Sequence, residues 1–117
     1  PLDLEDHETK AVQAAIDIQE GIAELNKTLT TPVQVGVGCQ SGYAVIGNMG
    51  SDTRFDYSAI GDAVNTAARL ESATKEVGED ILIGHKTAKN CKLVLKLLKP
   101  ISVKGKKDKL EIWTVNE

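Results

Sequence analysis

Between residues 5 and 29, apolar side chains recur at Val12, Ala15, Ile16, Ile22, Leu25 and Leu29, with Glu, Lys, Gln and Asn between them. This spacing is close to the 3.6-residue period of a helix and predicts one amphipathic helix with its apolar stripe turned to a core. Thr30, Thr31 and Pro32 interrupt the stripe, and Val33, Val35, Val37 and Cys39 then alternate with Gln34, Gly36, Gly38 and Gln40. Alternation predicts a strand. Gln40-Ser41-Gly42 reads as a turn, and the apolar run 43–47 follows so closely that it predicts a hairpin with that strand. Residues 48–52 read as a loop.

Asp62 is a suitable N-cap for a helix over residues 63–72, which are rich in strong helix formers. Val64, Ala67 and Ala68 would share its packing face. Asn65 and Arg69, four residues apart, project together from a different face. Beyond Gly78 the pattern predicts a strand over 80–83, a short helix over 86–90, and two strand-like runs, 93–103 and 110–115, joined by the polar loop 104–108. The order is helix, two strands, helix, strand, short helix, two strands. That is an α+β arrangement without internal repeats.

The chain has 117 residues, 41% of them hydrophobic, enough for one small domain with a core. Its 14 basic and 17 acidic residues give a net charge of -3, so there is no broad positive field and nucleic acid is not expected as a partner. Phosphate chemistry would have to rest on a few placed cations. The two cysteines, Cys39 and Cys91, have no zinc or redox spacing and read as reduced cytosolic thiols. No apolar run approaches the ~20 residues of a membrane helix, and no signal peptide opens the chain. This segment is expected to be cytoplasmic and without membrane contact. The abrupt start at Pro1 suggests a boundary inside a longer protein, which could itself be membrane-anchored.

Gly36, Gly38 and Gly42 fall in the spacing GxGxxxG with no helix after the last glycine, so strand and turn glycines are preferred to a dinucleotide loop. A GxxxxGK[ST] phosphate loop is absent. The Asn65/Arg69 pair is more informative, because an amide and a guanidinium on one helical face suit a sugar and a phosphate. By geometry alone, a solvated or salt-bridged surface arginine is still the ordinary reading. Asp62 as a helix cap, Asp56 as a structural or interface carboxylate, His7 and His85 as surface residues, and Trp113 packed in the C-terminal hairpin complete the inventory; Asp3 likewise matches no metal position.

The segments VGVGCQSGYAVIGNMGS and RFDYSAIGDAVNTAARLES resemble, nearly position for position, a strand hairpin and following helix of class III adenylyl and guanylyl cyclases. PLDLEDHETKAVQAAIDIQ is similar to the helix after that family's central hairpin, and ISVKGKKDKLEIWTV to its C-terminal hairpin. The resemblance implies a ferredoxin-like α+β class III nucleotidyl cyclase fold, truncated at its N-terminal side, with residues 1–117 as the C-terminal portion of one catalytic domain. It implies a homodimer with active sites between subunits, ATP as substrate and cyclic AMP and pyrophosphate as products. Mg2+ or Mn2+ would be held by aspartates upstream of Pro1, so this chain would carry no metal ligand and be inactive alone.

Carried over, the resemblance gives Asn65 the positioning of the ribose and Arg69 the stabilisation of charge on the transferring phosphoryl group. Lys104 would touch the triphosphate, although Lys106, Lys107 and Lys109 crowd the same segment and a solvated turn lysine is the alternative. Ser58 stands where family members read the purine. Its hydroxyl can accept from an adenine amino group or donate to a guanine carbonyl, so chemistry leaves the base open. Serine at this position resembles a bacterial-type subgroup that is generally adenylyl, and often bicarbonate-responsive. A guanylyl cyclase and a catalytically inactive cyclase-like dimerisation module are the alternatives.

Overall fold

The computed structural model describes residues 6–41, 47–49, 52–54, 57–102 and 109–116; side chains at 47–49, 52–54 and 57–61 lie outside that description. Helix α1 (His7–Asn26) is followed by β1 (Val37–Cys39), β2 (Gly47–Met49), β3 (Asp52–Arg54), α2 (Tyr57–Val77), β4 (Ile81–Gly84) and α3 (His85–Ala88). The chain closes with β5 (Leu95–Leu97), β6 (Ile101–Ser102), β7 (Lys109–Leu110) and β8 (Ile112–Val115). The α+β class read from the pattern is the one observed.

Four strands form a mixed sheet in the order β1-β4-β8-β5, with β1 parallel to β4 and the other two pairs antiparallel. All four residues of β4 are buried, as expected of a strand covered on both faces. Ile81 and Ile83 turn to one face and pack with Val12 and Ala15 of α1. Leu82 turns to the other, where Leu70 and Ala73 of α2 and Ile112 of β8 complete a second cluster. Trp113, paired with Ile83 and Leu97, packs at the margin of the first cluster, as its place in the C-terminal strands suggested.

The α1 stripe is used only in part. Val12 and Ala15 are buried and Ile16 packs beside them, whereas Leu25 and Leu29 are exposed, Leu29 lying beyond the helix end. The alternating segment from Val33 becomes a strand only at Val37. Before that point its backbone groups are taken by side-chain amides of α1. Asn26 exchanges two 2.8 Å hydrogen bonds with the Val33 backbone, and Gln19 Nε2 donates to Val35 O at 2.6 Å and to Asp80 O at 3.2 Å. Side chains here supply what a neighbouring strand would otherwise supply.

Three expectations are corrected. The segment read as a loop at 48–52 contributes to an antiparallel pair, Gly47 opposite Arg54 and Met49 opposite Asp52. Its polar residues carry no alternation, and backbone pairing needs none. Asp62 is not an N-cap, because α2 starts at Tyr57 and Asp62 lies inside it. Gly61 hid the extra turn, since glycine costs a helix roughly 1 kcal/mol relative to alanine, and packing on β1 and β4 outweighs that local cost. The two C-terminal runs are each broken, into β5 and β6 and into β7 and β8. Pro100 has no N–H to give a ladder, so the first run cannot continue unbroken. The partner of β1 among the described residues is β4; the expected hairpin with 43–47 falls largely outside them.

Candidate active site

The inward face of α2 carries Thr66, Leu70, Ala73 and Thr74, all buried. Asn65 and Arg69 each stand one residue before a member of this stripe, so they emerge at its edge, and both are exposed. Gly78 ends the helix in the left-handed conformation (φ 81°), its N–H donating to Thr74 O at 2.9 Å.

Between α2 and β6 lies an open cleft of about 380 Å³, walled by Ala68, Arg69, Ser72, Ala73 and Glu76 on the helix and by Ile101 and Ser102 on the strand. Arg69 is exposed and lines this cleft. Among the described residues no ion pair engages it. Ser102 is followed two residues later in sequence by Lys104. Asn65 stands one helical turn before Arg69 and outside the cleft lining. Ser58 belongs to the first turn of α2, and its side chain, like Lys104, Asp3 and Asp56, lies outside the described residues.

Ser72, Glu76, Ile101 and Ser102 are cleft residues that the sequence reading did not single out. Ser72 and Glu76 follow Arg69 by three and seven residues, so helical spacing alone could have placed them beside it. Across the cleft, Ile101 and Ser102 come from a segment some thirty residues away, and no local pattern signals that approach. The cleft thus sets one guanidinium and two hydroxyls beside one carboxylate, a donor set that can orient an anion without a broad positive field.

Elsewhere the chemistry is structural. Among the described residues no group of three or more His, Cys, Asp or Glu side chains is gathered as a metal site. His7 pairs with Glu8 at 3.1 Å, and the His85 ring lies 5.9 Å from that of Trp113. Burial raises the Cys39 thiol pKa, and the nearby Cys91 adds to the rise. No described helix is long and apolar enough to cross a membrane.

Residues 2–117 match the family described as the adenylate and guanylate cyclase catalytic domain. An adenylate cyclase of Anabaena cylindrica is 36% identical over 118 residues, covering 90% of this chain and 24% of its own length. Adenylate cyclase 1 of Rhizobium meliloti is 30% identical over 115 residues, covering 93% of this chain and 17% of its own. Among solved structures, a bacterial light-regulated adenylyl cyclase superposes with a TM-score of 0.70 at 29% identity, over 95% of this chain and 33% of that one. The chain belongs to the class III adenylyl/guanylyl cyclase catalytic domain family and has its fold. It spans about a quarter or less of the length of these two curated relatives.

Proposed function

We propose that these 117 residues are the C-terminal portion of a cyclase catalytic domain whose parent protein converts ATP into cyclic AMP and pyrophosphate. The observation that carries the reading is the cleft in which Arg69, unpaired by any described carboxylate, faces the strand leading to Lys104. In this reaction the ribose 3′-hydroxyl attacks the α-phosphorus and the pyrophosphate oxygen leaves. Negative charge builds on the phosphoryl oxygens, and a preorganised guanidinium stabilises that charge more than the ground state. Arg69 is assigned this role, Lys104 the triphosphate, and Asn65 the ribose, with Ser58 reading the base. Support for ATP over GTP comes from the relatives named adenylate cyclase.

Among the described residues no group of three or more His, Cys, Asp or Glu side chains is gathered. The Mg2+ or Mn2+ that such chemistry uses would be held by residues outside those described, and the domain would act as a homodimer with shared sites in the cytoplasm. The chain alone should give no cyclic AMP from ATP with either cation.

Arg69→Ala in the parent protein tests the reading. ATP binding should persist while kcat falls by the equivalent of roughly 2 to 4 kcal/mol. Mixed with a variant lacking the upstream metal carboxylates, it should recover about a quarter of wild-type activity, because half the dimers are then mixed and each holds one intact site. Unchanged turnover in Arg69→Ala, or no recovery despite subunit exchange, overturns the assignment.

A further inference from the structure

Gly38 of β1, and Gly36 just before that strand, have no catalytic assignment, yet both lie against α2: Gly38 at the turn that bears Arg69 and Gly36 at Thr74. A Cβ on Gly38 would run into the carbonyl oxygen of Ala67 and stand 2.6 Å from the Glu71 amide nitrogen and 2.9 Å from Leu70 Cβ. A Cβ on Gly36 would strike Thr74 Oγ1 and stand 2.9 Å from Thr74 Cβ. Neither glycine has a positive φ, so backbone conformation does not require them; the space does. The two obstacles differ in kind. Thr74 is a side chain, although a buried one whose hydroxyl donates to Glu71 O at 2.6 Å, whereas Ala67 O and Glu71 N are backbone and cannot rotate away.

We propose that Gly38, with Gly36 beside it, is a positioning residue for the reaction: the missing side chain lets α2 seat on β1 at the depth that holds Arg69 opposite Ile101 and Ser102. The inference rests on the assignment of Arg69 to phosphate. On the face away from α2, Val37 and Cys39 of β1 pack against the cluster of Val12, Ala15, Ile81 and Ile83, so the strand is backed and an added methyl group drives the helix outward rather than the strand inward. The far wall is not carried rigidly with the helix: β6 pairs with β7, and Ile101 meets the α2 cluster of Leu70 and Ala73 through side-chain packing. Lifting α2 therefore changes the separation between Arg69 and the opposite wall. A misplacement of about 1 Å remote from the reacting atoms can cost ~100-fold in rate.

The test compares Gly38→Ala, Gly36→Ala and the double variant Gly36→Ala/Thr74→Ala in the parent protein, with Arg69→Ala as reference. Folded Gly38→Ala should lose about 100-fold in kcat while KM for ATP changes by less than about threefold, since geometry and not ground-state binding is disturbed. Gly36→Ala should lose roughly tenfold, and Thr74→Ala should restore part of it by removing the hydroxyl and methyl that the new Cβ meets, while the Thr74 Cβ at 2.9 Å remains. A merely structural role would lower melting temperature and leave kcat per folded molecule unchanged, and that result overturns the proposal. If Gly38→Ala does not fold, Gly36→Ala decides alone: wild-type kcat in the folded variant overturns it. Should Arg69→Ala itself remain active, the function reading has failed; a dead Arg69→Ala beside an active Gly38→Ala rejects the seat alone.

Discussion

The two faces of the sheet are covered by helices of nearly equal length, α1 with 20 residues and α2 with 21, but they are attached differently. On the α1 face, aliphatic side chains interdigitate and amide side chains stitch the helix to neighbouring backbone, Gln19 to Val35 and Asp80, Asn26 to Val33. On the α2 face, Gly38 lets the helix approach the strand so closely that backbone meets backbone, and Gly36 leaves room for the Thr74 side chain. A contact through long side chains can relax by rotamer changes; a contact through glycine has no slack. The face with no slack is the one that carries Arg69 and the cleft. Rigid attachment is what a group acting on a developing charge requires.

Adjacent residues of β4 give the most severe way to break this comparison. Ile83 and Leu82 are both fully buried, the first under α1 and the second under α2. Truncation of either to alanine should cost about 2 to 5 kcal/mol of stability, read from urea unfolding. Only Leu82→Ala should also lower kcat per folded molecule in the parent protein, because it loosens the face that seats Arg69. Equal kcat in the two variants would remove the functional distinction between the faces.

A smaller effect is expected at Thr114, whose buried hydroxyl donates to Ile81 O at 2.7 Å. Thr114→Val keeps the shape and loses the bond, so about 1 to 2 kcal/mol should go from stability with kcat unaltered. A large fall in kcat there would show that any weakening of the sheet reaches the cleft.

Asp6, at the start of α1, should give the smallest change. Its carboxyl is held below the ordinary value of 3.8 chiefly by the hydroxyl of Thr9, which donates to Oδ1 at 2.7 Å; partial desolvation opposes this and Lys92 assists. Since the folded pKa lies below the unfolded one, the stabilisation is present above the unfolded pKa and lost as pH falls through the folded pKa. Wild type and Asp6→Asn should therefore differ in urea midpoint at pH 7 and converge in strong acid, with kcat equal at neutral pH. A gap that persisted in acid would assign the difference to something other than this charge.

Much of the α1 side was legible from periodicity, because Val12, Ala15 and Ile16 mark a helical stripe and the change to alternation at Val33 marks its end. The stripe could not show that Leu25 and Leu29 stay exposed, since burial depends on how far the sheet extends beneath the helix. The Asn65/Arg69 spacing placed the candidate residues on one helical face, and the resemblance supplied roles for them. Helical spacing could have added Ser72 and Glu76 but not Ile101 and Ser102.

The sequence by itself determined the helix and strand character of most segments, the α+β class and the identity of the polar pair on α2. Each follows from local periodicity or from a string of residues read in order. Tertiary structure alone decided that α2 begins at Tyr57, that β1 lies parallel to β4, and that Arg69 faces β6 across a cleft. It also decided what lies against Gly36 and Gly38. Their spacing suggested strand or turn, but their effect depends on Ala67, Glu71 and Thr74, some thirty residues distant, coming so near that an added Cβ would not fit. Close approach of two backbones is a property of packing in three dimensions, and a one-dimensional pattern records only that the side chain is missing.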